Sequence, residues 1–276
     1  MYSIYHFFQS LLQDRSKLVK VKKLGQFPFD DQMLSCRNKG VFPDLAIRLN
    51  KERKDFTGGE LVELKDNKTY TVASFNSTIP SGSKAIADII TGKQSKVRKE
   101  MEKAGNNVFS LPKREVYYLV RGKRRENTKA CLLHGSFFET VATKDLISQS
   151  FAQVLEERLQ QSGVEVPFSL RQKLASLFSE QESFSKVRIV NKASVTLRFR
   201  IMTEIQAEGN ILNPKTYPEI KDNTLSFVLP CHNDSEEHEI RRKSALVFTR
   251  AETELFRIFK LKHHFNGWFL VFQTDI

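Results

Sequence analysis

The stretch from residue 41 to residue 65 constrains the fold more than any other part of the chain, because it holds two apolar runs separated by a polar segment. In the first run, Leu45, Ile47 and Leu49 alternate with other residues, which is the period of a β-strand with one buried face. The second run, residues 61–65, follows Gly58-Gly59. Two such runs joined by a glycine-containing loop predict a β-hairpin.

Three charged residues sit within these two runs. Residues two apart on a strand face the same side, roughly 6.6 Å apart, so Glu63 and Lys65 share a face, and antiparallel pairing brings Asp44 beside Glu63. Two adjacent carboxylates repel unless a cation joins them, and Mg²⁺ takes one or two carboxylates together with waters and phosphate. Beside such a site, Lys65 could orient or deprotonate a water, or stabilise charge on a phosphate.

Pro43-Asp44 followed by Glu63-Leu64-Lys65 resembles the PD-(D/E)xK motif of the nuclease superfamily that includes most type II restriction endonucleases. The resemblance implies phosphodiester hydrolysis with Mg²⁺ as cofactor. It also implies that Asp44 and Glu63 are the metal ligands and that Lys65 is the catalytic lysine. The alternative from the residues alone is a surface strand pair with an ordinary salt bridge.

The charge of the chain suits a polyanionic partner. The 276 residues carry a formal net charge of +12, and residues 93–125 hold eleven Lys or Arg against three acidic residues. Many proteins of such charge bind no nucleic acid, so the charge alone is weak evidence for a DNA partner and only adds to the evidence from the motif.

Cysteine usage and hydropathy bear on the compartment. The three cysteines, Cys36, Cys131 and Cys231, form no C-x-x-C pair and no regular disulfide framework, which favours a reducing cytoplasm. No apolar run approaches the roughly 20 residues of a membrane span, and the N-terminus lacks the pattern of a signal peptide, so no membrane association is expected.

The elements predicted around the motif follow the order strand-strand-strand-helix-strand, which fits the nuclease core that the resemblance implies. The predicted fold class is α/β (α+β), with a restriction-endonuclease-like core, a mixed central sheet flanked by helices, and additional C-terminal α+β elements. The predictions are a helix at 3–24, a third strand at 69–75, a helix at 84–103 interrupted by Gly92, and strands at 116–120, 130–134 and 137–141.

The chain changes character after residue 143. Residues 1–143 are predicted to form the catalytic core, and residues 144–276 to form a C-terminal α+β part for recognition, dimerisation or both, packed with the core as one compact unit. Its predicted elements are helices at 146–159 and 167–178, strands at 187–205, a loop at 210–223, an acidic solvated loop at 234–239 and a buried strand at 268–272. Cys231, His232 and His238 are too few for a four-ligand zinc site.

Two kinds of segment are predicted to contact DNA: small polar residues leading into a helix, whose free N–H groups suit phosphate, and basic turns. A well-capped helix entry and a solvated turn are the respective alternatives. The predicted DNA-binding residues are Arg37, Lys39, Asn76, Ser77, Thr78, Ser81, Lys84, Arg121, Lys123, Arg124 and Arg125.

Together these features predict a Mg²⁺-dependent, sequence-specific endonuclease for double-stranded DNA, of the type II restriction class. A homodimer is expected, because the two-fold symmetry of a palindromic site matches that of a dimer. The alternatives are a repair or recombination nuclease of the same superfamily and a non-catalytic basic DNA-binding protein. Asp44, Glu63 and Lys65 discriminate against the last, because a simple binder does not need two carboxylates facing phosphate.

Overall fold

The structure is a computed structural model that describes residues 34–37, 42–50, 52, 56–72, 80–90, 92, 94–139, 143–179 and 209–276. The helix predicted at 3–24 and the strands predicted at 187–205 lie outside these residues. The chain divides into two compact units, one within residues 1–73, 81–138 and 207–276, the other within 74–80 and 139–206. No helix in the described part is long and apolar enough to cross a membrane.

Among the described residues, the first unit contains a mixed nine-stranded sheet in the order β1-β2-β3-β5-β6-β7-β9-β8, with β4 beside β5. The β3–β5 and β6–β7 pairs are parallel and the remaining pairs are antiparallel. The α/β class with a large mixed sheet is therefore as predicted. The strands are β1 (Leu34–Arg37), β2 (Leu45–Ile47), β3 (Leu61–Asn67), β4 (Ser83–Ala85), β5 (Lys113–Arg124), β6 (Asn127–His134), β7 (Thr224–Pro230), β8 (Arg257–His263) and β9 (Gly267–Asp275).

The hairpin predicted at residues 41–65 is confirmed. β2 and β3 pair antiparallel with Leu45 opposite Val62 and Ala46 opposite Leu61. In the loop, Gly58 has φ +70°, and a Cβ added there would lie 2.2 Å from the carbonyl oxygen of Arg48. Glycine is therefore required at this position both for its backbone conformation and for the space.

The third strand predicted at residues 69–75 is wrong for the described residues 69–72, of which 69–71 form bends and none is in a strand. Side chains there supply hydrogen bonds that compete with a strand ladder: Asn67 accepts from Thr69 N at 3.3 Å and donates from Nδ2 to Thr71 Oγ1 at 2.8 Å. The third strand of this meander is β1 instead, which pairs with β2 and precedes the motif.

The helix predicted at residues 84–103 is split, and its first residues are in β4. Two helices, α1 (Ile86–Ile89) and α2 (Lys96–Lys103), lie in the connection from β3 to β5. Gly92 has φ +80°, which a helix does not accommodate, and the side chain of Ser95 caps α2 by accepting from Arg98 N. The sheet thus places β5 parallel to β3 after a helical crossover.

The strands predicted at 116–120 and 130–134 are confirmed as parts of the longer strands β5 and β6. A two-residue turn of Arg125 and Glu126 connects β5 and β6 into a hairpin. The strand predicted at 137–141 is wrong for residues 137–139, since 135–137 form a 3₁₀ turn. His134 Nδ1 lies 2.7 Å from Ser136 Oγ and accepts from Ser136 N at 3.3 Å, while its Nε2 lies 2.7 Å from Glu115. These bonds close the turn and stop the strand.

The acidic run at residues 234–239 is not the loop that was predicted. It begins α5 (Asp234–Val247), whose N-cap Asn233 accepts from Glu236 N at 2.9 Å. Acidic residues in a first helical turn favour the helix, because they face the positive end of its dipole. Ile240 of this helix packs on a core cluster of Cys231, Phe256, Leu270 and Phe272.

The remaining predictions for the C-terminal half are largely confirmed. Residues 210–223 form turns, and β9 contains the strand predicted at 268–272, although Trp268 is 43% exposed. A short helix, α6 (Arg250–Thr253), precedes β8. The two helices predicted in the other unit are α3 (Thr143–Ser162) and α4 (Phe168–Ser179), linked by an ion pair between Arg171 and Glu156.

Strands β7, β8 and β9 extend the same sheet that carries the motif. Residues 209–276 therefore belong to one compact unit with the predicted catalytic strands, and residues 143–179 to the other. The assignment of recognition or dimerisation to residues 144–276 stays a prediction.

Candidate functional site

The β2–β3 pairing brings the motif residues together. The register that sets Leu45 opposite Val62 carries Asp44 to the level of Glu63, and Asp44 Oδ2 accepts from Leu64 N at 2.9 Å. This bond holds the Asp44 carboxylate against β3 immediately beside Glu63. The expected proximity of the two carboxylates is thus present in the structure.

Glu63 and Lys65 share a face of β3, as their spacing predicts. Lys65 Nζ lies 3.1 Å from Glu63 Oε1, and each side chain is 16% exposed. The other carboxylate oxygen, Glu63 Oε2, is buried without a hydrogen-bond partner among the described residues. A buried carboxylate oxygen without a hydrogen bond costs free energy, which a proton or a bound cation at this position would recover.

Burial dominates the electrostatics of Glu63. Burial raises the pKa of this carboxyl above its ordinary value, the Lys65 ammonium opposes the shift, and the Asp44 carboxylate adds to it. The Lys65 ammonium therefore offsets the effect of burial on this pKa only in part. A divalent cation bound here would lower the pKa further.

The parallel neighbour β5 supplies the wall of the site. In register, Tyr118 lies beside Glu63 and Val120 beside Lys65, and in-register residues of neighbouring strands point to the same face. Tyr118 is almost fully buried, and its ring meets Phe138 edge-to-face at 5.3 Å. Sequence patterns did not identify Tyr118, because a parallel pairing across a helical crossover leaves no local signal.

Two carboxylates are a small donor set for a metal. Among the residues described, no group of three or more His, Cys, Asp or Glu side chains is placed to hold a metal ion. The oxygen donors of Asp44 and Glu63 nevertheless suit Mg²⁺, which binds through one or two carboxylates and completes its shell with waters and substrate phosphate. The unsatisfied Glu63 Oε2 is the observation that supports this fit.

Lys129, a buried lysine of the same sheet, provides a comparison for the surroundings of Lys65. Lys129 is 1% exposed, lies 3.7 Å from Asp222, and has its ammonium 5.0 Å from the ring centroid of Tyr70. Asp222 also accepts from Tyr70 Oη and from Asn127 Nδ2, each at 2.9 Å. This lysine is enclosed by its partners, whereas Lys65 stays partly open to solvent beside two carboxylates.

Those residues predicted to bind DNA that the structure describes are spread over the first unit. Arg121 donates from Nε and Nη2 to the two carboxylate oxygens of Asp66, at 2.8 and 2.7 Å. The β3–β5 register places Asp66 directly beside Arg121. Lys123, Arg124 and Arg125 are exposed at the end of the β5–β6 hairpin. The hairpin tip is therefore a basic surface in which the last three residues, rather than Arg121, are available to phosphate.

The other predicted DNA contacts are less clustered. Lys84 lies over the ring of Phe42 at 5.5 Å, close to the start of the motif. Ser81 donates to Ser83 O at 2.9 Å, so its hydroxyl serves the local chain. Arg37 is exposed on β1 with its N–H bonded to Glu100. Lys39, Asn76, Ser77 and Thr78 lie outside the described residues.

A surface cavity of about 590 Å³ lies away from the motif. Its lining consists of His134, Ser136, Pro230, His232, Ser235, Glu236, Glu239 and Ile240. None of the three motif residues contributes to its lining.

Comparison with known proteins adds no relative. No family model, no curated protein sequence and no solved structure matches this chain.

Proposed function

We propose that this protein is a Mg²⁺-dependent endodeoxyribonuclease of the PD-(D/E)xK type. The observation that carries the proposal is the cluster of Asp44, Glu63 and Lys65, in which two adjacent carboxylates and a lysine converge. One buried carboxylate oxygen of this cluster has no hydrogen-bond partner in the described part of the chain. Such an arrangement costs stability, and costs of this kind concentrate at functional sites.

The topology around the cluster supports the proposal. A β1-β2-β3 meander, the short strand β4, two helices and β5, which pairs parallel with β3, follow one another along the chain. Apart from β4, this order matches the strand-strand-strand-helix-strand order that the resemblance implies, with β1 in place of the strand expected at 69–75. Glu63 and Lys65 lie in β3, next to the parallel strand β5, and Asp44 lies immediately before β2.

Each motif residue has a task that its contacts allow. Asp44, oriented by Leu64 N, and Glu63, through Oε2, would hold Mg²⁺, which supplies Lewis-acid activation of water and phosphate. Lys65 has a flexible stem, and its ammonium reaches the same carboxylate. It would position the attacking water, accept its proton, or stabilise charge developing on the phosphate.

The proposed substrate is double-stranded DNA. The net charge of +12 and the exposed basic tip at Lys123, Arg124 and Arg125 favour a polyanion. We further propose sequence-specific cleavage by a cytoplasmic homodimer, as in type II restriction enzymes. The three described cysteines are buried and form no disulfide with one another, which agrees with a reducing compartment.

Plasmid digestion tests the proposal. The purified protein should cut supercoiled plasmid in Mg²⁺ and not in EDTA, and Asp44→Ala should abolish cutting while plasmid binding persists. Glu52→Ala is the matched control, because Glu52 is an exposed acid in the same hairpin. Discrete bands would support a restriction enzyme, and a smear would support an unspecific nuclease. Undiminished cutting by Asp44→Ala would overturn the assignment.

A further inference from the structure

The tip of the β8–β9 hairpin exposes two large aromatic side chains. Phe265 is 58% exposed and Trp268, the single tryptophan of the chain, is 43% exposed. Single exposed apolar residues are ordinary, but two aromatic rings on one short hairpin end form a surface that favours a partner.

Hydrogen bonds fix the conformation of this turn, so its aromatic rings are exposed on a well-anchored segment. His263 is buried, and its Nδ1 accepts from Phe265 N at 3.1 Å and from Asn266 N at 3.0 Å. Asn266 Nδ2 donates to Phe137 O at 3.0 Å, which ties the turn to the core. A rigid platform loses little conformational entropy when it binds.

Positive charge lies next to the rings. Lys262 is the cross-strand partner of Trp268, and its Nζ lies 5.7 Å from the centroid of the indole ring. Within the described residues Lys262 forms no ion pair, whereas Lys260 is bound by Glu237 at 2.7 Å. His264 is exposed, with its ring 4.5 Å from that of Phe265. The tip thus combines aromatic faces with a cation that has no carboxylate partner.

We propose that the tip of the β8–β9 hairpin binds unpaired nucleotides of single-stranded DNA. The proposed binding surface, called the Trp268 platform, consists of Lys262, His264, Phe265 and Trp268. The rings stack on bases and Lys262 contacts the adjacent phosphate. An aromatic ring stacks on any base whose face is free, and in a duplex those faces are already covered by neighbouring pairs. The combination of stacking rings and a basic groove is the usual basis of sequence-tolerant single-strand binding.

The platform gives the proposed nuclease a more specific substrate, and this extension rests on the proposed function. Pro230 of β7 pairs with Phe269 near the platform, whereas Thr224 of β7 pairs with Lys129 on the side of the β5–β6 turn. The two basic hairpin ends therefore lie at opposite ends of the sheet. A duplex contact at one end and a single-strand contact at the other favour a DNA substrate that contains both duplex and single-stranded parts.

Intrinsic fluorescence tests the platform directly, because all tryptophan emission comes from Trp268. The full-length protein is titrated in EDTA with a short oligo-dT, with the same length of duplex DNA, and with oligo-U. The proposal expects saturable quenching by oligo-dT at least about tenfold tighter than by duplex. Equal response to duplex overturns the assignment to unpaired bases, as does the absence of quenching by oligo-dT. A much tighter response to oligo-U overturns the assignment to DNA.

Variants separate stacking from general charge. Measured by anisotropy of labelled oligo-dT, Trp268→Ala should bind about tenfold more weakly, and Trp268→Phe should stay close to wild type. Phe109→Ala is the matched control, since Phe109 is 52% exposed under the Arg98 guanidinium at 5.5 Å. Equal losses in Trp268→Ala and Phe109→Ala, or no loss in Trp268→Ala, overturn the proposal. Because no cleavage is needed, failure of the nuclease function leaves this result unaffected.

Discussion

Replacing Lys65 by Met separates a catalytic lysine from a structural one. The change keeps most of the stem and removes the ammonium that lies 3.1 Å from Glu63 Oε1. The Glu63 carboxylate is then left beside Asp44 with no cation. Breaking a fully buried ion pair costs about 3–5 kcal/mol, but both side chains here are 16% exposed, so solvent screening reduces the expected loss of stability to about 1–2 kcal/mol.

The expected loss of activity is much larger than this loss of stability. If Lys65 acts at the scissile phosphate, cleavage should fall by a factor on the order of 10³, equivalent to about 4 kcal/mol of transition-state stabilisation. The loss of stability lowers the melting temperature by only about 2–4 °C per kcal/mol, so the variant stays folded at the assay temperature.

Single-turnover cleavage of end-labelled duplex in excess Mg²⁺, together with a thermal melt, measures both quantities. Lys68→Met is the control, because Lys68 is exposed just beyond β3 and should cost little in either assay. The account is refuted if the two variants lose cleavage equally and slightly, since Lys65 would then be one more basic residue.

Two further predictions concern other parts of the molecule. Changing Lys123, Arg124 and Arg125 together to Gln should weaken duplex binding and flatten its logarithmic salt dependence by up to about 2.7, at about 0.9 per phosphate contact; an unchanged slope would place DNA elsewhere. Burial, with a smaller effect of His264, lowers the pKa of His263, so the folded protein favours the neutral ring. Stability should therefore be intact above about pH 6.5 and fall as the pH drops further, by up to about 1.4 kcal/mol per pH unit. Urea unfolding across this range should show a flatter dependence in His263→Asn and the wild-type slope in His264→Gln, and equal slopes in all three proteins would contradict the assignment.

The sequence predicted the local part of the candidate site well. Alternation and the glycine-containing loop indicated the β2–β3 hairpin, and a spacing of two residues placed Glu63 beside Lys65. Antiparallel register then brought Asp44 to Glu63. Each of these steps depends on residues close in the chain, where periodicity and turn chemistry carry the information.

Non-local pairings could not be predicted in the same way. The pairing of Arg121 with Asp66 follows from the parallel β3–β5 register, which no local pattern reveals. The described residues of the strand expected at 69–75 form no strand, because the side chain of Asn67 donates a hydrogen bond to that of Thr71 and stabilises a bend instead. Trp268 was predicted buried because it begins an apolar run, yet it lies at the hairpin end, where its cross-strand neighbour is an exposed lysine.

The most direct test of the central claim is a comparison of wild type and Glu63→Gln in two assays on the same preparations. Gln is close to isosteric, but it removes the charge that the buried Oε2 would offer to Mg²⁺. The account predicts that Glu63→Gln binds duplex DNA in EDTA with a Kd equal to or lower than that of wild type, because carboxylate–phosphate repulsion is reduced, and that it cuts no DNA in Mg²⁺. Cleavage by Glu63→Gln at the wild-type rate would contradict the account.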